Sequence, residues 1–396
     1  MKIYADNAAT TKMSQTALSA MLPCFTENYG NPSSLHEVGQ AAAETLTAAR
    51  AQVAAALGAA PGEITFTSGG SEADNQALRS AAVLGAAKGK KHLISTAIEH
   101  HAVLHTLKAL EKEGFEVTLL PVDEKGRVTP EEVAAALRPD TALVSVMYAN
   151  NEIGTVEPIR EIGALCRQAG VLFHTDAVQA VGHLPVDVVR DNIDLLSLSG
   201  HKFHGPKGVG ALYARKGIRL TPLIEGGAQE RGKRAGTENI PGIAGMAAAL
   251  SEAVKNLPET TARLLPLRER LIAGLSGIPH SVLNGDPVHR LPSNVHFCFE
   301  GIEGESLLLL LSDRGVYASS GSACTSGSLD PSHVLLAIGR PHEIAHGSLR
   351  LSLSEDITAA EVDYIIKSVS EVVAYLRQMS PVWRNLSEGR QAFLIP

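Results

Sequence analysis

The segment from residue 195 to residue 208 reads LLSLSGHKFHGPKG. It begins with an apolar run of strand length, Leu195–Ser199, and such runs are typical of parallel sheets that helices cover on both faces. Lys202 follows that strand almost at once, where poor solvation lowers its pKa and favours the neutral amine. Lys202 is therefore a candidate to form a Schiff base with an aldehyde, although many strand-end lysines only extend into solvent. Lys207, in the Gly-Pro turn that follows, is the alternative within the segment.

The same pattern extends over most of the chain. From about residue 35 to residue 255, short apolar runs alternate with helical stretches, which predicts an α/β fold with a mainly parallel sheet covered by helices. The predicted strands are Glu63–Thr67, Leu93–Thr96, Val117–Pro121, Ala142–Tyr148, Val171–Thr175 and Leu195–Ser199. The predicted helices between them include Gln40–Leu57, Glu72–Leu84, Pro130–Leu137 and Ile159–Ala169.

After Pro258 the pattern changes. A helix over Thr260–Leu275 precedes strands at Asn294–Phe299 and Leu349–Ser352, and a last helix covers Ala359–Met379. This order indicates a smaller α+β unit. We therefore predict a large domain of residues 15–257 and a small domain of residues 258–396 that also includes residues 1–14.

Composition limits the class of protein. The chain has 396 residues, 44% apolar and 19% charged, so it can bury enough surface to fold. Its net charge of −7 argues against a nucleic-acid partner. No apolar run approaches the roughly 18 residues of a membrane helix, and no signal-peptide pattern opens the sequence. Four scattered cysteines without CxxC spacing fit a reducing compartment, so we expect a cytoplasmic protein without a membrane partner.

Three familiar motifs do not apply to this chain. Gly227–Lys233 has the spacing of a phosphate loop, but Arg234 stands where Ser or Thr would bind magnesium. His101 and His105 have the spacing of a zinc helix, but Ala102 replaces its general-base Glu. No GxGxxG follows a predicted strand, which excludes the dinucleotide-binding class.

Further candidates lie where predicted strands end. Asp176 could partner a protonated cofactor ring nitrogen, although carboxylates there are also common helix caps. The junction TSGGSE at residues 67–72 can hold a phosphate on free N–H groups, or can be an ordinary helix cap. His100 could stack on a ring or move a proton. Because parallel strands end at one edge of a sheet, these residues and Lys202 together favour pyridoxal phosphate as cofactor.

Cys324 lies in a run of small residues, SSGSACTSGS, at residues 319–328. Such a run cannot fill a core, so we expect its thiol to be exposed, whereas structural cysteines are normally buried. Cys324 is therefore the candidate reactive thiol, the alternative being an incidental cysteine in a linker.

Taken together, the motifs resemble the class I cysteine desulfurases of the NifS/IscS type, from Tyr4 to about Pro381. The segments that carry the resemblance are YADNAATT (4–11), GNPSS (30–34), FTSGGSEADN (66–75), NNEIG (150–154), DAVQ (176–179), SGHK (199–202), ERGKRAGT (230–237) and the Cys324 loop. The resemblance implies a pyridoxal-phosphate enzyme of fold type I that converts L-cysteine to L-alanine. The sulfur would pass to an enzyme persulfide and then to iron–sulfur cluster assembly. The sequence TSGSLDPSHVL (325–335) is closer to the nitrogen-fixation branch, so we expect a role in nitrogenase maturation.

The resemblance also implies a role for each candidate. Lys202 would bind the cofactor covalently, Asp176 would hold its ring nitrogen and Gln179 its phenolic oxygen, and His100 would stack on the ring and exchange protons. The phosphate would be held by Gly70, Ser71, Ser199 and His201, with Thr237 reaching across from the second subunit of a homodimer. Asn151 would contact cofactor and substrate, Arg350 the substrate carboxylate, and Cys324 would accept the sulfur. Arginine suits a carboxylate because its planar fork matches it bidentately.

The resemblance also bears on partners. An iron–sulfur scaffold or another acceptor protein would take the sulfur. No metal is implied in the resting enzyme beyond a transient contact of Cys324 with a cluster. The competing activities on the same scaffold are an aminotransferase-like reaction and a selenocysteine lyase. A catalytically silent sulfur carrier or assembly scaffold is the alternative from a different class.

Overall fold

The computed structural model describes residues 2–320 and 331–395, so Cys324 lies outside the described residues. A seven-stranded sheet is central to the fold, in the order β2-β8-β7-β6-β5-β3-β4. Its strands are β2 (Ile64–Thr67), β3 (His92–Thr96), β4 (Glu116–Leu120), β5 (Thr141–Ser145), β6 (Leu172–Asp176), β7 (Leu195–Ser199) and β8 (Gly210–Ala214). β8 is antiparallel to both of its neighbours, and the pairs from β7 to β4 are parallel. The predicted α/β fold with a mainly parallel sheet is confirmed.

Two smaller sheets use strands from the ends of the chain. β1 (Ile3–Tyr4) pairs in parallel with β11 (Val316–Tyr317), so the N-terminal residues join the C-terminal part. β9 (Ser281–Leu283), β10 (Asn294–Phe299) and β12 (Ser348–Ser352) form an antiparallel sheet with β10 in the centre.

Helices cover these sheets. The helices before residue 240 are α1 (Gln15–Met21), α2 (Pro23–Thr26), α3 (Glu37–Leu57), α4 (Gly70–Ala86), α5 (His101–Lys112), α6 (Pro130–Ala136) and α7 (Ile159–Ala169). The later helices are α8 (Ile240–Ser276), α9 (Gly304–Asp313), α10 (His333–Ala337), α11 (His342–Ala345), α12 (Ala359–Met379) and α13 (Pro381–Ser387). Gly58 ends α3 with a positive φ of 69°, a conformation that glycine adopts without steric cost. No helix in the described ranges is both long and apolar enough to cross a bilayer.

α8 differs from the helix predicted there. The sequence pattern places a helix start at Thr260, just after Pro258, but the helix runs unbroken from Ile240 to Ser276 with Pro258 and Pro266 inside it. A proline removes one backbone hydrogen bond and disfavours a helix interior. The helix continues because it packs against α1 and α3 in its first half and against α12 in its second, and this tertiary packing outweighs the local cost.

The two largest clusters of buried apolar side chains divide along α8. One lies between the central sheet and helices such as α3 and includes Met246 and Leu250 of α8. The other lies around β10, β12 and α12 and includes Leu264 and Leu271 of α8 together with Ile3 of β1. The division into residues 15–257 and residues 258–396 with 1–14 remains a prediction.

A buried ion pair joins the central sheet to the segment before α8. Arg50 of α3 forms two parallel hydrogen bonds to the Glu230 carboxylate, at 2.7 and 2.6 Å, and its guanidinium lies over the Phe66 ring. The backbone N–H of Phe66 donates to the same carboxylate at 3.0 Å. Glu230 itself has a φ of 46°, which is unfavourable for a residue with a side chain. The ion pair therefore fixes a strained turn against the sheet.

We expect the substitution Glu230→Gln to lower the free energy of unfolding by about 3 to 5 kcal/mol, because it leaves the buried Arg50 charge without its partner. The matched control is Asp363→Asn, which breaks the exposed pair with Arg270 and should cost less than about 1 kcal/mol. Urea denaturation followed by circular dichroism measures both changes. Equal effects of the two substitutions would contradict the structural importance of the buried pair.

Candidate active site

The carboxyl ends of the central strands bring the candidate residues to one edge of the sheet. β6 ends at Asp176, β7 ends at Ser199, and Lys202 follows β7 after one turn. His100 follows β3, and Gly70 opens α4 after β2. Because parallel strands end at one edge of a sheet, residues up to 132 positions apart in sequence lie at one place, as Gly70 and Lys202 do.

Lys202 reaches toward the N-terminal segment. Its Nζ donates to the carbonyl oxygens of Ala8 and Ala9 at 2.6 and 3.0 Å. The positive charge of Lys202 lowers the pKa values of both Asp176 and His100, so all three groups lie close enough to interact. Lys202 therefore lies within electrostatic reach of both the carboxylate and the imidazole of the predicted site.

Lys207, the alternative lysine, has a different position. It lines a cavity of about 370 Å³ together with Ser71, Ser199 and His201. The hydroxyls of Thr10 and Ser68 and the first residues of α4 complete that wall. This is the predicted phosphate end, so the geometry favours Lys202 over Lys207 for the reaction with an aldehyde.

Glycine lets the start of α4 pack closely against Val178. A Cβ added to Gly70 would lie 2.6 Å from Cγ2 of Val178, a distance that no side chain tolerates. Glu72 is the acidic group of this cavity, and Arg234 pairs with it at 3.0 Å. A phosphate requires hydrogen-bond donors, and this cavity offers hydroxyls, the N-terminus of α4 and a lysine. Thr237 is exposed and does not line this cavity within the described part of the chain.

Asp176 and Gln179 are buried beside Lys202. The Asp176 carboxylate accepts the backbone N–H of Val178 at 2.9 Å, and Gln179 donates from Nε2 to the Ala8 carbonyl at 2.9 Å. Burial raises the pKa of Asp176, while His100, the Val178 N–H and Lys202 act in the opposite direction. A cation brought against this carboxylate would therefore be held strongly.

His100 caps α5 and is mostly buried. Its Nδ1 accepts the backbone N–H of Ala102 at 3.1 Å, so the neutral ring carries its proton on Nε2. Burial lowers the pKa of His100 and keeps the ring neutral near pH 7. The next residue, His101, contacts the rings of His105 and His333 at centroid distances of 5.0 and 4.7 Å.

Arg350 of β12 is buried and faces the same edge. Its Nη1 donates to the Asn151 carbonyl at 3.0 Å and its Nη2 to the Asp6 carboxylate at 2.9 Å. Its Nε has no hydrogen-bond partner among the described residues. The guanidinium already binds one carboxylate, that of Asp6, and it retains an unused donor.

Three of the four cysteines lie within the described residues, and all three are buried. Burial raises the pKa of the Cys166 and Cys298 thiols to about 12 and also raises that of Cys24. These thiols are therefore poor nucleophiles at neutral pH. Cys324 lies outside the described residues, and its role stays a prediction.

The described residues on both sides of segment 321–330 bind to the site. Ser319 exchanges backbone hydrogen bonds with Arg350, at 2.6 and 3.3 Å. Ser332 donates its hydroxyl to the buried Glu152 carboxylate, and His333 Nε2 lies 3.0 Å from the Glu99 carbonyl oxygen. Glu152 directly follows Asn151 and Glu99 directly precedes His100, and neither was among the predicted site residues.

The residues at this edge fit pyridoxal phosphate. They combine a lysine amine, a buried carboxylate for a ring nitrogen, a neutral imidazole and a hydroxyl-lined cavity at a helix N-terminus. Among the described residues, the buried Arg350 also retains an Nε–H without a partner. This is a donor that a carboxylate substrate would need.

Comparison with known proteins agrees with this arrangement. Residues 3–365 match the model of the family Aminotransferase class-V. A cysteine desulfurase IscS of Methanosarcina thermophila is 57% identical over 380 residues, 96% of this chain and 94% of that protein. A cysteine desulfurase NifS of Azotobacter vinelandii is 50% identical over 383 residues, 96% and 95% of the two chains. A solved structure described as a NifS-like protein has a TM-score of 0.89 at 41% identity and covers 95% of this chain and 100% of that chain.

Matches that cover nearly the whole chain establish its family. The chain belongs to the class-V aminotransferase family, whose members are pyridoxal-phosphate enzymes with this fold. Within it, the chain groups with the cysteine desulfurases of the NifS/IscS type, which confirms the resemblance found in its sequence.

Proposed function

We propose that the chain converts L-cysteine to L-alanine and transfers the sulfur to Cys324, from which acceptor proteins of iron–sulfur cluster assembly take it. The observation that carries this proposal is the joint position of Lys202, Asp176 and His100 at the sheet edge that also forms the hydroxyl-lined cavity. A catalytically silent scaffold would not need to keep this constellation.

The cofactor would be held by Lys202, Asp176 and Gln179 at its ring and by Gly70, Ser71, Ser199 and His201 at its phosphate. When bound, it supplies an electron sink for the pair that a substrate carbon releases. The Asp176 carboxylate would hold the ring nitrogen, and His100 would stack on the ring. Thr237 is proposed to complete the phosphate site from a second subunit.

The chain's own groups then act on the substrate. Arg350 and Asn151 bind the carboxylate of cysteine, with the unused Nε of Arg350 as the available donor. The Lys202 amine removes the α-proton, and His100 Nε2 exchanges protons at the substrate. The Cys324 thiolate attacks the substrate sulfur, so that an S–S bond forms and the C–S bond breaks. The carbon keeps the bonding pair and, once protonated, leaves as alanine.

A second copy of the chain is the proposed partner of the segment from Leu22 to Leu35. Its side chains Leu22, Phe25, Tyr29 and Leu35 are all more than half exposed. Several large exposed apolar side chains within one short segment suit a subunit interface. In a homodimer, the exposed Thr237 of one subunit would reach the phosphate site of the other.

The destination of the sulfur is a finer proposal. The sequence TSGSLDPSHVL at residues 325–335 supports nitrogenase maturation, the branch predicted from the sequence. Against that, the IscS relative is 57% identical and the NifS relative 50% identical. We therefore propose iron–sulfur assembly in the cytoplasm as the general role and nitrogenase maturation as one of its branches. Binding assays with purified scaffold proteins of each branch would distinguish them.

The function is tested by the visible spectrum of the purified protein before and after L-cysteine is added. We expect a yellow protein whose absorbance changes with cysteine and which releases alanine and, with a reductant, sulfide in equal amounts. L-Serine, which lacks the thiol, is the matched control and should give neither product. A colourless protein would support the scaffold alternative, and a keto acid in place of alanine would support an aminotransferase.

A further inference from the structure

A second buried carboxyl, that of Asp74, lies close to the Asp176 carboxyl. Asp74 belongs to α4 and is 1% exposed, and its Oδ1 has no hydrogen-bond partner among the described residues. One ligand atom each from Asp74, His100 and Asp176 lie within 4.8 Å of one another. Nothing in the proposed mechanism uses Asp74, although a buried carboxyl is costly to keep.

Among the described residues, the groups around Asp74 are carboxyls, imidazoles and a hydroxyl. They are Asp176 and His174 on β6, Glu99 and His100 between β3 and α5, and Ser197 of β7, whose hydroxyl bonds to Asp74. His174 Nε2 is 3.6 Å from Asp74 Oδ1, but burial lowers the pKa of His174 to about 3, so the ring is neutral. Its two nitrogens bond to the hydroxyls of Ser145 and Ser197 at 2.8 and 3.0 Å.

The two carboxyls therefore differ in charge. Burial and the negative charges of Asp176 and Glu99 raise the pKa of Asp74 well above its usual range. Burial also raises the pKa of Asp176, but the Val178 N–H and the positive charge of Lys202 oppose that rise. Two carboxyls this close cannot both be ionised in a buried site, so one proton serves the pair. Asp74 has fewer groups than Asp176 to stabilise an anion, so Asp74 is the better place for that proton.

We propose that Asp74 is a positioning residue of the cofactor site, whose neutral carboxyl holds the Asp176 carboxylate from behind and keeps its single negative charge directed at the cofactor ring nitrogen. Asp74 does not touch the cofactor. The inference rests on the proposed function only for the presence of pyridoxal phosphate, and it does not require cysteine turnover.

The test compares Asp74→Asn with Asp74→Ala in the cofactor-loaded protein. Asparagine is also neutral and keeps a donor and an acceptor, so cofactor affinity and the pH midpoint of the visible spectrum should stay close to those of the wild type. Alanine removes the neutral carboxyl beside the Asp176 anion, so we expect the cofactor dissociation constant to rise about tenfold or more. The spectral midpoint should shift with it, because the negative charge of Asp176 is no longer held in place. Fluorescence titration of the cofactor-free protein and a pH series of spectra measure the two quantities.

The matched control is Gln76→Ala. Gln76 is another buried polar residue of α4, but its side chain bonds to the carbonyls of Thr221 and Lys233, away from Asp176. Its loss should lower the melting temperature and leave the spectral midpoint unchanged. Asp176→Asn is the reference for loss of the charge itself.

Two results would overturn the proposal. If Asp74→Asn reduced cofactor affinity as strongly as Asp176→Asn, Asp74 would carry the negative charge. If Asp74→Ala behaved like Gln76→Ala, Asp74 would only fill space. A wild-type protein without yellow colour would contradict the proposed function itself, and a coloured protein inactive on cysteine would contradict only the desulfurase reaction.

Discussion

Replacing Lys202 by alanine should abolish the visible absorbance of the bound cofactor and reduce alanine formation about a thousandfold or more, since the proposed site has one amine for both covalent binding and proton removal. The structure supports this size of effect because Lys202 is the lysine whose charge acts on both Asp176 and His100. The purified variant would be compared with the wild type by absorbance and by alanine production from L-cysteine.

Two control variants sharpen this experiment. Lys202→Arg keeps a positive donor near the Ala8 and Ala9 carbonyls but remains charged, so it should be as inactive as Lys202→Ala. Lys207→Ala removes a lysine of the hydroxyl-lined cavity and should weaken cofactor binding while the absorbance persists at saturation. Normal absorbance in Lys202→Ala together with its loss in Lys207→Ala would reverse the assignment.

The substitution Cys324→Ala should leave the cofactor absorbance intact and lower alanine production from cysteine by about a hundredfold or more, because no other thiol can replace the nucleophile. Cys24, Cys166 and Cys298 are buried, and burial raises the pKa of each thiol. Mass spectrometry of wild-type protein treated with cysteine should show one added sulfur on Cys324.

Cys24→Ala is the matched control for this variant. It removes a buried thiol on α2, so cysteine turnover should be unchanged. Undiminished turnover by Cys324→Ala would contradict the assignment, and an added sulfur on Cys298 would assign the role to a different thiol. The two predictions are separable because the first removes colour and activity together and the second removes activity alone.

The main candidates were predictable because parallel strands impose an order that sequence patterns reveal. Each apolar run marks a strand, and the residue after it lies at the carboxyl edge, so Lys202, Asp176 and His100 could be placed there without coordinates. β8 was not predicted, because its direction and its place between β2 and β7 depend on pairing and not on local pattern. α8 extends beyond its predicted start because packing outweighs Pro258.

Asp74 shows why the rest could not be predicted. In the sequence it stands in SEADNQ, which is typical of an exposed first turn, and Glu72 and Asn75 are indeed outside the buried set. Only the packing of α4 on the sheet turns Asp74 toward Asp176. Glu99, Glu152 and Asp6 were missed for the same reason, since each acquires its role from a neighbour distant in sequence or from the backbone of a folded turn.

The anchoring of Ser319 and Ser332 sets a lower limit on the local concentration of the Cys324 thiol, the proposed nucleophile. Ser319 is bound to Arg350, and Cys324 is five residues further along the chain. Five residues span at most about 18 Å, whatever path they take. One thiol inside a sphere of that radius corresponds to a local concentration on the order of tens of millimolar. Free thiols at lower concentrations in the surrounding solution would therefore compete poorly with Cys324 for the substrate sulfur.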